Sequence, residues 1–283
     1  MNLTNELMRL YKTACAVDVY AFKPGNVSIY AEGHDMTVTD FLLSAEVSAE
    51  PICNPAYSLG QKIYYAVKAT RSAVGCNTNL GIILLCAPII QACAAVTTDL
   101  GLRQALTKTL ASTTLADAEW VFKAISLASP GGLGKTDNQD VHTAPTVTLK
   151  EAMALASSKD RIALQYITDY KDIFDYSVLS YNKCFIRWAD VNWAAVMVYT
   201  DLLSQFPDSH IERKYGNKYT EMIAAKMCEF SQALSQSDRP ELLKPIFYEF
   251  DQVLKSNGVN PGTTADLTVA TVFTVFLQDF FSN

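Results

Sequence analysis

The chain has 283 residues, 49% of them hydrophobic and 18% charged, which excludes a disordered segment and supplies enough apolar surface for a large core. A formal net charge of −6 and a pI near 5.1 exclude a general nucleic-acid binder, which needs a basic stripe, but leave room for a local cationic pocket. Seven cysteines show neither a CxxC pair nor zinc spacing and mostly lie in apolar runs, so a reduced, cytoplasmic protein is expected.

Helical spacing runs through the chain, and strand signals are scarce. The first helix is expected over 3–20, with Leu7, Leu10, Ala14 and Val17 on one stripe. Its opening, MNLTNELMRLYK, carries charges where an export signal needs an apolar centre, so none is expected. Lys23-Pro24-Gly25-Asn26 stops this helix in a fixed turn. Thr39-Asp40 is expected to cap a helix over 41–49, before Pro51, and another helix covers 56–70. The motif GCNTNLG, residues 75–81, then precedes the most apolar stretch, residues 80–96. That stretch is about long enough to span a bilayer, but Pro88, Gln91 and the lack of flanking Lys/Arg asymmetry favour a helix buried in protein. No membrane association is expected.

Thr98-Asp99 and Thr113-Thr114 look like caps of two further helices, the second reading LADAEWVFKAISLA. Later helices are expected over 149–157, 187–205, 218–235, 240–256 and 263–280, with a short one near 211–215 capped by Asp208 or Ser209. No linker or repeat divides the chain. The expectation is a single all-α domain over 1–283, with a central buried apolar helix and glycine-marked polar loops gathered into a site.

The stretch SPGGLGKTDNQD, residues 129–140, offers Gly134-Lys135-Thr136 as half of a phosphate-binding loop. The first glycine of that pattern is replaced by Ser129. What precedes it has Leu115, Ala118, Phe122 and Ile125 at helical spacing, where a buried strand is required. The segment reads instead as a glycine-rich turn, or as open backbone at Gly131 and Gly132 that lets a ligand come close.

Four polar clusters interrupt the helices. Residues 18–36 supply Lys23 and Asn26, then His34 and Asp35, types suited to phosphate, metal or acid/base work. Residues 75–81 place Asn77, Thr78 and Asn79 before the apolar helix, where a helix N-terminus attracts anions. Asp137 and Asp140 follow the glycines as a platform for Mg²⁺, which takes a few carboxylates plus substrate phosphates. Pro261-Gly262-Thr263-Thr264 starts a helix with Asp266 in its first turn, and Arg213 and Lys214 add cations. Each cluster has a plain structural reading too: helix stops, caps and solvated loop charges.

Taken in order, these clusters resemble the triphosphoribosyl-dephospho-CoA synthase family. The residues that carry the likeness are Ala14-Cys15-x-x-Asp18, Lys23-Pro24-Gly25-Asn26-Val27, Asp35-Met36, Asn77-Thr78-Asn79-Leu80-Gly81, and Pro261-Gly262 with Ala265-Asp266-Leu267. The resemblance implies an all-helical pentosyltransferase that joins the ribose C1′ of ATP to the 2′-hydroxyl of 3′-dephospho-CoA and releases adenine. It implies Asp35, Asp266 and His34 as catalytic candidates. Lys23, Asn26, Asn77, Asn79, Gly131, Gly132, Arg213 and Lys214 become nucleotide or phosphate ligands, and Asp35, Asp137 and Asp140 hold Mg²⁺.

The sequence departs from the usual family pattern. Asp18 stands where Glu is usual, and Leu80 stands where a basic residue is common. A Thr-Thr-His-Gly-Glu segment is absent. SPGGLGK with Asp140-Val141, and PDSHIERKYG, resemble a divergent branch found in archaea and in bacteria using methanopterin-type cofactors. Two alternatives therefore stand beside the transferase. One is a related enzyme of one-carbon cofactor synthesis with a different acceptor or donor; the other is a non-catalytic nucleotide or CoA binder. A homo-oligomer is also open.

Overall fold

The computed structural model describes residues 2–31, 33, 36–130 and 139–282. Among them lie fourteen α-helices, one π-helical turn (Asp172–Ser177), one 3₁₀ turn (Pro240–Leu243) and no strand beyond two isolated bridges. The all-α expectation holds.

Local signals explain most helix starts. Helices α2 (Val38–Cys53), α3 (Leu59–Val74), α6 (Leu115–Ala128) and α7 (Leu149–Ala156) open with capping boxes. In each, a Ser or Thr hydroxyl accepts from the third backbone N–H, and the third side chain answers the cap's own N–H. The cap of α2 is Thr37, two residues before the expected Thr39-Asp40, because Asp40 serves as the answering residue. The helix also continues through Pro51, which lacks the N–H that would bond the Val47 carbonyl. Helix α5 (Leu102–Ala111) starts after Gly101, beyond the expected Thr98-Asp99 cap.

The expected helix over 187–205 is two elements. Helix α9 (Val178–Trp188) ends where Ala189 turns left-handed at φ 49°, and Asp190 caps α10 (Val191–Gln205) afresh. Nothing but an alanine marks that break. Between α7 and α9, where no helix was expected, lie α8 (Arg161–Ile167) and the π-helical turn.

Helix α4 (Leu80–Cys93) is the axis of the fold, buried at every position but Gln91 and packed by α1 (Leu3–Tyr20), α2, α3, α5, α8 and α14 (Gly262–Ser282). Pro88 sits inside it and removes the N–H that would bond the Leu84 carbonyl. The Tyr166 hydroxyl donates to that carbonyl at 2.6 Å, and Tyr170 donates to the Leu85 carbonyl at 3.0 Å. Tyr166 thus satisfies the backbone group that the proline leaves without its helical donor in a dry core.

Helix α14 packs against α1, α4 and α10. Length and composition alone would let it cross a membrane, but two thirds of its most apolar window is buried inside the protein. Its buried threonines 268, 271 and 274 each donate back to the carbonyl four residues earlier, so no polar group is stranded. The remaining helices are α11 (Ser209–Tyr215), α12 (Thr220–Gln236) and α13 (Lys244–Ser256).

Candidate active site

The site is built where helix beginnings meet. The first turns of α4, α8, α11 and α14 line one cavity of about 140 Å³, closed on the far side by Ile125 of α6 and by Pro130. Two of these helices are long, and the positive ends of their dipoles lie at a common space. Such a space favours anionic ligands.

The position of α14 is fixed by two loops pressed together. Gly25 of the Lys-Pro-Gly-Asn turn has φ 84°, and a Cβ there would come within 2.9 Å of both Leu254 and Pro261. The turn is tied down by the Gly25 N–H on Asp251 Oδ1 (2.8 Å), by Tyr199 donating to the Pro24 carbonyl (2.7 Å), and by Asn26 Nδ2 on Asn260 Oδ1 (3.0 Å). Asp208, which caps α11, completes the assembly. Its Oδ1 accepts from the His210 and Ile211 N–H groups, and its Oδ2 accepts from the N–H and hydroxyl of Thr264 in α14. One buried carboxylate therefore joins two helix N-termini. Burial pushes the Asp208 carboxyl up from its usual value, against the lowering by those hydrogen bonds.

Asp266 projects from the first turn of α14 into the cavity, against Gly81 of α4. A Cβ at Gly81 would collide with the Asp266 carboxylate and press on Ile162, so a larger residue there must displace that carboxylate. Burial pushes the Asp266 carboxyl well above the ordinary carboxylate range, and the negative charges of Asp18, Asp208 and Asp160 push the same way. Lys23 opposes them. Asp266 makes no hydrogen bond with a described residue, whereas Asp160 on the same wall is fully engaged. It caps α8 with Oδ1 and receives Arg213 Nη1 on Oδ2 at 2.7 Å. His210 also lines the cavity, its ring packed so close to Gly262 that no side chain would fit there.

The structure brings together Asn77, Arg213 and Asp266 from the sequence-expected set. Asn77 Oδ1 accepts from the Leu80 N–H at 3.1 Å, and Arg213 keeps a buried Nε without a hydrogen-bond partner among the described residues. Lys23 does not line the cavity, although its charge acts on Asp266 and lowers that carboxyl. It is fully buried, and its ammonium contacts the side chain and carbonyl of Asp18. Asn79 is buried toward α2, with Nδ2 3.4 Å from Ser48 Oγ, and Asn26 gives its Nδ2 to Asn260 while its buried Oδ1 has no hydrogen-bond partner among the described residues. Lys214 is exposed over the Tyr215 ring, away from the cavity. Asp140 uses Oδ1 to accept the His142 N–H at 2.9 Å within its own loop. His34, Asp35, Gly131, Gly132 and Asp137 lie outside the described residues.

Sequence reasoning passed over His210 and Asp160. The Asp-Ser-His run after Pro207 and the Asp-Arg pair before an apolar helix were the available signals, both of them ordinary cap patterns.

Helix N-termini converging on a carboxylate and a guanidinium, in an all-helical fold with no strand-based nucleotide site among the described residues, suit an anionic ligand such as a phosphate. Residues 4–282 match the family profile of the ATP:dephospho-CoA triphosphoribosyl transferases, CitG, and the chain belongs to that family. Among solved structures it is similar to a crystal structure from Archaeoglobus fulgidus, described as a candidate triphosphoribosyl-dephospho-CoA synthase. The TM-score is 0.63 at 23% identity, covering 83% of this chain and 97% of that one, which shows a shared fold. No curated protein matches the chain.

Proposed function

We propose that the cavity at the head of α14 is where the ribose of ATP passes to the 2′-hydroxyl of dephospho-CoA. The observation that carries this reading is the unengaged Asp266 carboxyl, set among helix N-termini in the space that Gly81 leaves open. Breaking the bond from C1′ to adenine develops positive charge on the ribose, and a carboxylate aimed there stabilises it. Arg213, with its unpartnered Nε, and the first turns of α4 and α14 then suit the triphosphate. His210, on the same wall, is a group suited to take the acceptor's proton. In the balanced reaction, the C1′–N bond breaks with its electron pair going to adenine. The acceptor oxygen bonds to C1′, and the hydroxyl proton ends on the released base.

Mg²⁺ belongs to this reading through the triphosphate. No group of three or more His, Cys, Asp or Glu side chains forms a ready-made metal site among the described residues. A single carboxylate beside a polyphosphate nevertheless suits Mg²⁺. A cation there would also relieve the repulsion that Asp18, Asp208 and Asp160 impose on Asp266. Asp266 would hold it, and the ion would neutralise phosphate charge.

A second reading keeps the fold and changes the acceptor to one used in pterin-type one-carbon cofactor synthesis, as in the divergent branch. It is favoured by Leu80, which lines the cavity where a basic residue is common in the family. Supplying each candidate acceptor with ATP and assaying for adenine separates the two. Adenine release with dephospho-CoA supports the first, and release only with the other acceptor supports the second. ATP binding without adenine under any condition leaves a non-catalytic binder.

A further inference from the structure

The cavity is too small for both substrates. Sites for drug-sized ligands run to about 300–1,000 Å³, and at about 140 Å³ this cavity holds the reacting centre while the rest of each substrate extends past its rim. The acceptor must therefore lie largely on another surface within reach.

A groove of about 750 Å³ runs along the other side of α6, between that helix and residues 141–145. The two spaces share the end of one helix: Ile125 faces the cavity, while Phe122 and Ser126 face the groove. The helix separating them is only about 10–12 Å thick with its side chains. Tyr64 and Phe122 give the groove aromatic walls, and Trp120 stands behind Tyr64 with ring centroids 5.1 Å apart. Lys123 lies over Trp120 at 4.8 Å and lines the groove with His142, facing one acid, Glu119. The Ser126 hydroxyl donates to the Val141 carbonyl at 2.9 Å and fixes the 141–145 wall to α6.

Aromatic walls with a lysine at the rim suit a ligand that is part apolar and part phosphate. Dephospho-CoA has that division. Its reactive hydroxyl is on the adenosine ribose, and the rest is a pyrophosphate joined to a long, largely apolar pantetheine arm. We propose that this groove holds the pyrophosphate–pantetheine arm of the acceptor, with Lys123 as the phosphate contact, while the ribose enters the cavity. The assignment rests on the transferase reading above.

The test is direct titration of dephospho-CoA, and separately of ATP, into the wild-type chain and Lys123→Glu. Lys123 is exposed, and a thermal melt checks that the variant folds; His142→Glu is the second variant. The groove assignment predicts that either variant weakens dephospho-CoA by about tenfold, as expected for one charge-assisted phosphate contact. ATP affinity stays unchanged. Unchanged dephospho-CoA affinity in both variants overturns the groove while leaving the transferase reading intact. Equal weakening of ATP would reduce the effect to bulk charge and also overturn it. A wild-type chain that does not bind dephospho-CoA at all would overturn the choice of acceptor, and the groove with it.

Discussion

The Asp266 carboxylate occupies the space that a side chain on Gly81 would need, so the start of α4 and the start of α14 meet at a single carboxyl group. Gly81→Ala should force that carboxylate out of place. The extra methyl is otherwise favourable inside a helix by about 1 kcal/mol, so the helical circular dichroism should persist. Turnover should fall by about a hundredfold, the loss that small misplacements of catalytic groups produce. Gly101→Ala, where a Cβ meets nothing within 4 Å, is the matched control and should keep full activity. Steady-state adenine release measures both.

Asp266→Asn should separate stability from function. A carboxyl held above its ordinary value binds its proton more tightly in the folded state. The stability it contributes is fully present below the unfolded value, near ~3.9, and is lost as pH rises through the folded value. The amide carries no such loss. The variant should therefore melt higher at neutral pH, by about 2–4 °C if the relief is on the order of 1 kcal/mol, while releasing no adenine. An unchanged or lower melting temperature would mean that Asp266 is not under the repulsion described.

Asp208→Asn tests the joint between α11 and α14. The native carboxylate accepts from three backbone N–H groups and one hydroxyl. An amide must turn an NH₂ toward one of those donor pairs. A cost of roughly 2 kcal/mol is expected, the penalty of a buried donor left unmatched, read by chemical denaturation. Turnover should fall as well, since Asp266 and His210 are carried by the two helices it joins.

Tyr166→Phe removes the hydroxyl that serves the Leu84 carbonyl and should cost about 1–2 kcal/mol. Pro88→Ala restores an N–H able to bond that carbonyl. In a double-mutant cycle the tyrosine change should then cost less in the Pro88→Ala background than in the wild-type chain. Additive effects would contradict the compensation.

Lys23→Ala is expected to act on folding before binding. Removing the buried ammonium leaves the Asp18 carboxylate unpaired in the interior, at about 3–5 kcal/mol. A stable variant that lost only ATP affinity would show instead that Lys23 reaches the nucleotide.

Much of this was legible in the sequence. Capping patterns located α6 and α11, helical spacing located α3 and α7, and the apolar stretch over 80–96 located the buried axis of the fold. Asp266 and Asn77 stand in the motifs and Arg213 in a cationic run, and these three expected candidates line one cavity. Lys23 was read as a ligand because a lysine in a Pro-Gly turn is ordinarily solvated; its burial depends on Asp18, five residues back and on the other side of a helix end. The break at Ala189 was invisible because no glycine or proline marks it. His210 and Asp160 could not be assigned to the site, because only tertiary packing brings their short helices to the heads of α4 and α14.

The most direct test of the account is to incubate the purified chain with ATP, dephospho-CoA and Mg²⁺ and follow free adenine and the coupled product by chromatography and mass spectrometry. The account predicts adenine in equal amount to a triphosphoribosyl adduct of dephospho-CoA, both lost in Asp266→Asn. Folded protein that binds ATP and dephospho-CoA yet yields neither product would contradict it.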